Sequence, residues 1–182
     1  MDGMPDLKIR TATEADRAGL CAICLAAFDD SENGLVARLA VGLLDEIASP
    51  PTISLVAEEG GVLVGQVAFS AVWMKSDGRF VGRILSPLAV RPERQKGGIG
   101  SALVREGLQE STRLGARIVF VYGDPGYYGR FGFTADQARG YEAPCALQYP
   151  HGWLALRLDQ GKSAAPPGAL ECVSALRKPE LW

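Results

Sequence analysis

The chain has 182 residues, 47% of them hydrophobic and 22% charged, which allows one globular domain with a buried core. A formal net charge of −2 excludes a global attraction to nucleic acid or to an anionic membrane. No stretch approaches the roughly 18 apolar residues of a membrane span, and Met1-Asp2-Gly3-Met4-Pro5-Asp6 lacks the apolar run of a signal peptide.

Taken in order, Leu7-Lys8-Ile9-Arg10 alternates and reads as a first strand. Thr13-Glu14-Ala15-Asp16 starts a helix, with Thr13 as N-cap and acids in the first turn, running to about Phe28. The cysteines are Cys21, Cys24, Cys145 and Cys172; Cys21-x-x-Cys24 lies within that helical pattern, and no second pair has zinc spacing, so these are expected to be buried thiols with no metal, in a reducing, cytoplasmic setting. The polar break Asp29-Asp30-Ser31-Glu32-Asn33-Gly34 precedes a second helix, Leu35 to about Ala48, stopped by Pro50-Pro51. A β-meander follows: Thr52 to Glu58 alternating, a turn at Glu59-Gly60-Gly61, a long strand from Val62 to Trp73, a turn at Ser76-Asp77-Gly78, and a strand from Gly82 to Val90. Pro87 sits inside that last strand and cannot donate a ladder bond, so a bulge or a one-sided strand is expected there.

The next segment, Arg91-Pro92-Glu93-Arg94-Gln95-Lys96-Gly97-Gly98-Ile99-Gly100, is basic and glycine-rich and opens an amphipathic helix that runs to about Gly115. Glycines let backbone approach a ligand, and the first N–H groups of a helix lack internal partners and carry partial positive charge. Strand, glycine loop and helix N-terminus together suit a phosphate. The string is neither a nucleotide P-loop nor a complete dinucleotide fingerprint, because Gly98-Ile99-Gly100 is followed by Leu103 where a third glycine would stand. On the helix, Leu103, Val104, Gly107, Leu108, Ser111 and Leu114 share the arc expected to face the sheet, with Gly107 permitting close approach. Arg117 to Tyr122 is the next strand; strand–helix–strand requires it to run parallel to the one before the loop, giving a mixed sheet. Pro125 and Gly132 then frame one or two helical turns, and Trp153 to Leu158 alternates as a further strand. Gly161 to Gly168 reads as a linker, Cys172 to Leu176 as a last strand, and Trp182 as a candidate for disorder.

Gln95-Lys96-Gly97-Gly98-Ile99-Gly100, preceded by Pro-Leu-Ala-Val-Arg-Pro, resembles the acetyl-CoA pyrophosphate loop of the GNAT N-acetyltransferase superfamily. Tyr128-Gly129-Arg130-Phe131-Gly132-Phe133 resembles that family's second element, Tyr-x-x-[Leu/Phe]-Gly-Phe, and the two together are similar to a bacterial GNAT subgroup. The resemblance covers about Ile9 to Leu158 and implies the GNAT acyl-CoA N-acyltransferase fold: an α/β (α+β) domain with a mixed central sheet flanked by helices. Residues 1–182 would form one domain, with a core of about 7–160 and a C-terminal extension of 161–182. The strands from Ile84 to Val90 and from Arg117 to Tyr122 would splay below a bulge at Ser86-Pro87. Pantetheine would lie along Leu88, Ala89 and Val90. Pyrophosphate would sit on the N–H groups of Gln95, Lys96, Gly97, Gly98, Ile99, Gly100 and Ser101, with Asp124 and Tyr128 also at the cofactor.

The resemblance also implies roles. Acetyl-CoA would be the co-substrate, Leu88 N–H the oxyanion donor, and Tyr128 the general acid for the departing thiolate. Glu32 is the candidate base and Ser86 a candidate for orienting a water. Each has a bland alternative. Glu32 reads equally as an exposed acid, Asp124 as a helix cap, Gln95 as a cap, Arg94 and Lys96 as solvated charges, Tyr127 as a core or rim aromatic, and His151 as a surface histidine. The reaction expected is acetyl transfer to a primary amine of a small molecule or peptide by direct attack in a ternary complex. Neither nucleic acid nor membrane is expected as a partner, and the chain would be a monomer or homodimer. A non-catalytic acyl-CoA-binding module and a transferase of longer acyl chains are the competing readings.

Overall fold

A computed structural model describes residues 6–160 and 166–182; residues 1–5 and the 161–165 part of the expected linker lie outside the described residues. Six strands form a path in one sheet: β1 (Leu7–Thr11), β2 (Ile53–Glu59), β3 (Val62–Met74), β4 (Phe80–Val90), β5 (Ile118–Tyr122) and β6 (Trp153–Arg157). A seventh, β7 (Leu170–Cys172), pairs with β3 beyond the end of β2 through Val72–Cys172 and Met74–Leu170. β4 and β5 are parallel; the other paired strands run antiparallel. The helices are α1 (Arg17–Ala27), α2 (Asn33–Asp45), α3 (Ile99–Arg113) and the single-turn α4 (Pro125–Tyr128).

Helices cover both faces of the sheet. Leu103, Val104 and Gly107 of α3 pack with Leu55, Val67, Phe69, Leu85 and Val121, while α1, α2 and the C-terminal segment cover the opposite face. The alternation expected on β2 therefore does not mark a wet face: Val56 is as buried as Leu55 and Ala57 because α1 lies above it. Leu114, placed on the inner arc of α3 by periodicity, is half-exposed, since the helix ends at Arg113 and Leu114 is its cap.

Two element boundaries move for identifiable reasons. Thr13 to Asp16 forms a 3₁₀ turn ahead of α1, because the Asp16 carboxylate accepts from Thr13 N–H at 2.7 Å and is tied to Arg10 at 2.7 Å. α2 begins at Asn33 and stops at Asp45, well before Pro50, and Ile47 is fully exposed. The hairpin between β2 and β3 uses Gly60 and Gly61 alone, with φ of +56° and +83°, the backbone a two-residue type I′ turn requires.

The C-terminal segment is integral to the core. Leu170, Cys172, Val173, Leu176 and Trp182 all lie in the cluster beneath α2, and Glu46 at the end of α2 accepts from Ser174 Oγ at 2.9 Å and from Ala175 N at 3.1 Å. Trp182 is thus ordered, not loose as the sequence suggested. Its indole donates to Leu176 O at 2.9 Å and its ring packs on Tyr122 and Trp153. Among the described residues, no helix is long and apolar enough to cross a membrane.

Candidate active site

The site begins where β4 leaves its regular ladder. Val67 opposes Leu88 and Phe69 opposes Leu85, so Ser86 and Pro87 together face Ala68: a β-bulge at the proline, the first of the two forms expected from the sequence. The Ser86–Pro87 peptide is cis. The extra residue puts Leu85 and Leu88 on the same face, toward α3, which a regular strand with its period of two forbids.

The bulge also ends the partnership of β4 with β5. The parallel pairing runs from Gly82–Ile118 to Leu85–Val121 and stops. β4 continues to Val90 with a free edge, and β5 turns away at Tyr122. Which groups face the gap follows from ladder alternation. Arg91 N–H donates to Val64 O on β3 at 2.9 Å, so Ala89 also addresses β3, and the main-chain groups of Leu88 and Val90 point the other way, into the fork. Ala89 itself is buried toward α1.

At the head of the fork lies the glycine loop. Gly98 is the N-cap of α3 with φ of +83°, and Lys96 also adopts a left-handed φ of +63°. Left-handed residues interleaved with others turn successive N–H groups to one side and form an anion nest. The first main-chain bond into α3 is Ala102 N–H to Gly98 O at 2.9 Å; among the described residues, no acceptor is found for the amides of Lys96 through Ser101. These amides border a cleft of about 480 Å³ that also touches Leu88, Val90, Arg94, Lys96 and Arg130 and carries no acidic lining residue. A diphosphate fits this donor set: unbonded amides, a helix N-terminus and cations with no competing carboxylate on the wall.

Side chains around the loop divide in a way the sequence left open. Gln95 Nε2 donates to Val90 O at 3.0 Å and so holds the loop against β4. Arg94 is paired with Glu59. Lys96 is exposed at the cleft. Two residues outside the expected cofactor set join the loop. The Tyr127 hydroxyl stands over Gly100, where an ideal Cβ would come within 2.7 Å of it, and shares the cleft wall with Ser101. Arg130 stacks on the Tyr127 ring at 4.3 Å and donates from Nε to Tyr127 O at 3.0 Å. The two motifs are therefore packed on one another: the last glycine of the first makes room for Tyr127, which immediately precedes the second. Gly100 and Tyr127 were each visible in the string; their contact was not.

Asp124 lies apart from the loop. It caps α4, accepting from Gly126 N–H at 2.8 Å, with Pro125 at the first helical position. Gly132, with φ of +96°, closes the following 3₁₀ turn. This frame aims Tyr128 at the bulge: its ring lies against Gly123, where a Cβ would meet it at 2.6 Å, and edge-on to Phe133 and Tyr127. Burial, reinforced by Tyr127, pushes the Tyr128 phenol well above its usual value, so it stays protonated through the physiological range. Tyr128 shares a cavity of about 320 Å³ with Ser86, Leu88, Glu32 and the C-terminal Glu180 and Leu181. An adjoining cavity of about 440 Å³ carries Asp124, Tyr149, His151 and Trp182. Leu88, Ser86, Glu32 and Tyr128 thus meet at one end of the fork, and Gln95 to Ser101 stand at the other. The cysteines lie elsewhere: Cys24 is buried under Gln66, whose amide is 3.3 Å from its Sγ, and burial pushes its thiol up to about 12.

Comparison with known proteins gives the same assignment. Residues 8–135 match the family model described as an acetyltransferase (GNAT) domain. A curated protein of Escherichia coli K12, described as the uncharacterized N-acetyltransferase YjhQ, is 36% identical over 117 residues, covering 63% of this chain and 65% of that protein, just under two thirds of the relative's length. The structure of the E. coli GNAT family N-acetyltransferase YhbS in complex with CoA superposes with a TM-score of 0.82 at 25% identity, covering 98% of this chain and 96% of that one. A GNAT family acetyltransferase from Brucella melitensis, in complex with acetyl-CoA, aligns with a TM-score of 0.68 at 30% identity, covering 93% and 97% of the two chains. With a forked β4–β5 pair, an open-amide helix start and a family match over most of its length, this chain belongs to the GNAT acetyltransferases.

Proposed function

We propose that the protein transfers the acetyl group of acetyl-CoA to a primary amine by direct attack in a ternary complex. The observation that carries this reading is the fork: an opening between β4 and β5 that joins unbonded amides at one end to Tyr128 and the bulge at the other. Solved relatives that hold CoA and acetyl-CoA support the cofactor. Bound there, acetyl-CoA supplies an activated thioester.

The chain's own residues divide the remaining work. The amides from Lys96 to Ser101, with Arg130 and Lys96, hold the diphosphate. The main-chain groups of Leu88 and Val90 face the fork and align the arm, and Leu88 N–H is the donor for the developing oxyanion. Tyr128, kept protonated by burial, donates to the leaving sulfur. An alkyl amine enters protonated, with a pKa of about 10.4; Glu32, with Ser86 orienting water, conducts its proton to solvent. Direct attack needs no covalent enzyme intermediate, so no nucleophilic cysteine or serine is called for.

The test is Tyr128→Phe, assayed by release of CoA thiol with amine acceptors and by calorimetric titration with acetyl-CoA. Turnover should fall by roughly 100-fold or more, with acetyl-CoA affinity little changed, since among the described residues the hydroxyl makes no hydrogen bond. Undiminished turnover removes Tyr128 from the reaction. A wild-type protein that binds no acetyl-CoA removes the whole proposal.

A further inference from the structure

The two ends of the fork differ in charge. The cofactor cleft is bordered by Arg94, Lys96 and Arg130 and by no acid. The two cavities at the acetyl end are bordered by Glu32, Asp124 and Glu180, with His151, and by no lysine or arginine. Glu32 and Glu180 line both cavities and so stand where the two meet, beside Tyr122 and Gly123. Among the described residues, neither carboxylate has an ion pair or a side-chain hydrogen bond, whereas Asp16, Asp45, Glu14, Glu58, Glu59 and Glu110 are each paired with an arginine. Glu32 and Glu180 thus line the cavities with no cation of the described chain beside them.

Neither position is accidental. Glu180 belongs to the turn Pro179–Leu181, fixed by the burial of Trp182 and its bond to Leu176 O. Tyr149 N–H donates to the Tyr122 hydroxyl at 2.7 Å and pins the opposite wall. Tyr122, Tyr149 and Trp182 border the outer cavity, and aromatic faces favour an ammonium. Tyr149, Glu180 and Trp182 lie beyond residue 135, where the family match ends, whereas Glu32, Tyr122 and Asp124 lie within it.

Resting on the acetyltransferase reading, we propose that the acceptor is a small polycation: a primary amine that carries a second ammonium a few bonds away. The attacking amine occupies the inner cavity near Tyr128 and Glu32, and Glu180, with Asp124 beyond it, holds the second charge. In the reaction the acceptor nitrogen forms the amide bond, the thioester C–S bond breaks, one proton leaves the ammonium for solvent, and the thiol departs protonated.

The test compares three acceptors of equal chain length at saturating acetyl-CoA: putrescine, butylamine and γ-aminobutyrate. An exposed carboxylate–ammonium pair is worth up to about 1 kcal/mol, so putrescine should exceed butylamine in kcat/KM by about tenfold with two carboxylates engaged, and γ-aminobutyrate should be poorest. Glu180→Gln should raise the putrescine KM by roughly fivefold and leave acetyl-CoA affinity unchanged. Equal kcat/KM for putrescine and butylamine, or an unaltered putrescine KM in Glu180→Gln, overturns the inference. If none of the three is acetylated, putrescine is titrated into protein saturated with CoA; absence of binding overturns the inference, and binding that Glu180→Gln weakens upholds it. Acetyl-CoA binding without charge preference leaves the acetyltransferase reading standing; failure to bind acetyl-CoA removes both.

Discussion

The seat of α3 on the sheet can be tested at one glycine. An ideal Cβ on Gly107 would lie 1.9 Å from Phe69 Cε2 and 2.4 Å from its Cζ. Carbon atoms rest at about 3.5–4.0 Å, so helix and ring would have to part by well over an ångström. Phe69 has no exposed surface and cannot withdraw into solvent. Gly→Ala in a helix gains about 1 kcal/mol of propensity, while overpacking a filled core costs about 1–3 kcal/mol or more. With a contact this short the cost lies at the upper end, leaving Gly107→Ala destabilised by about 2 kcal/mol, or a Tm lower by roughly 4–8 °C for a chain of this size. Because α3 carries the open amides at its N-terminus, acetyl-CoA affinity should fall as well. The assay is thermal unfolding of Gly107→Ala, Phe69→Leu and the double variant. Removing the ring should make the alanine neutral or favourable, with a coupling of at least about 1 kcal/mol. A Gly107→Ala protein that melts higher than wild type, as propensity alone dictates, would refute the close packing of α3 on Phe69.

Arg130→Ala should weaken acetyl-CoA binding by roughly fivefold, less as salt is added, because the guanidinium is exposed and screened; calorimetry in two salt concentrations checks this, and an unchanged affinity would place Arg130 outside the cofactor site. The hydrogen bond from Arg10 holds the Asp16 carboxyl down at about 2, below the ordinary value of about 3.9. A depressed carboxyl stabilises the fold above its unfolded value and loses that stability as the pH falls through its folded value, so the protein should lose up to about 2 kcal/mol between about pH 4 and pH 2. Asp16→Asn should flatten that part of the denaturation profile, and a wild-type profile already flat there would argue against the Arg10–Asp16 pair.

Much of this site was legible because its demands are local. A left-handed backbone at Gly98 and at Gly132, a missing donor at Pro87 and the helix-starting geometry of Pro125 are properties of single residues, and a string displays them. The strand order near the fork followed the same way, since a helix between two strands leaves little choice but a parallel pair.

What the string withheld depends on residues far apart in sequence. Tyr127 looked like any rim aromatic until it met Gly100, and nothing in the string shows that Asp124, besides capping α4, lines the outer cavity. β2 alternates as a half-wet strand does, yet helices from two other parts of the chain bury both its faces. The final segment read as an extension, because nothing in Leu170 to Trp182 announces that β3 has an open edge or that Tyr122 offers a ring to stack on. By itself the sequence determined the loop and the bulge, both written in the backbone preferences of neighbouring residues, while the resemblance of its two motifs to the GNAT family carried the expectation of acetyl transfer. Only the tertiary structure decided which carboxylates line the cavities beside Tyr128, because that depends on burial and on distances across the sheet that no local preference encodes.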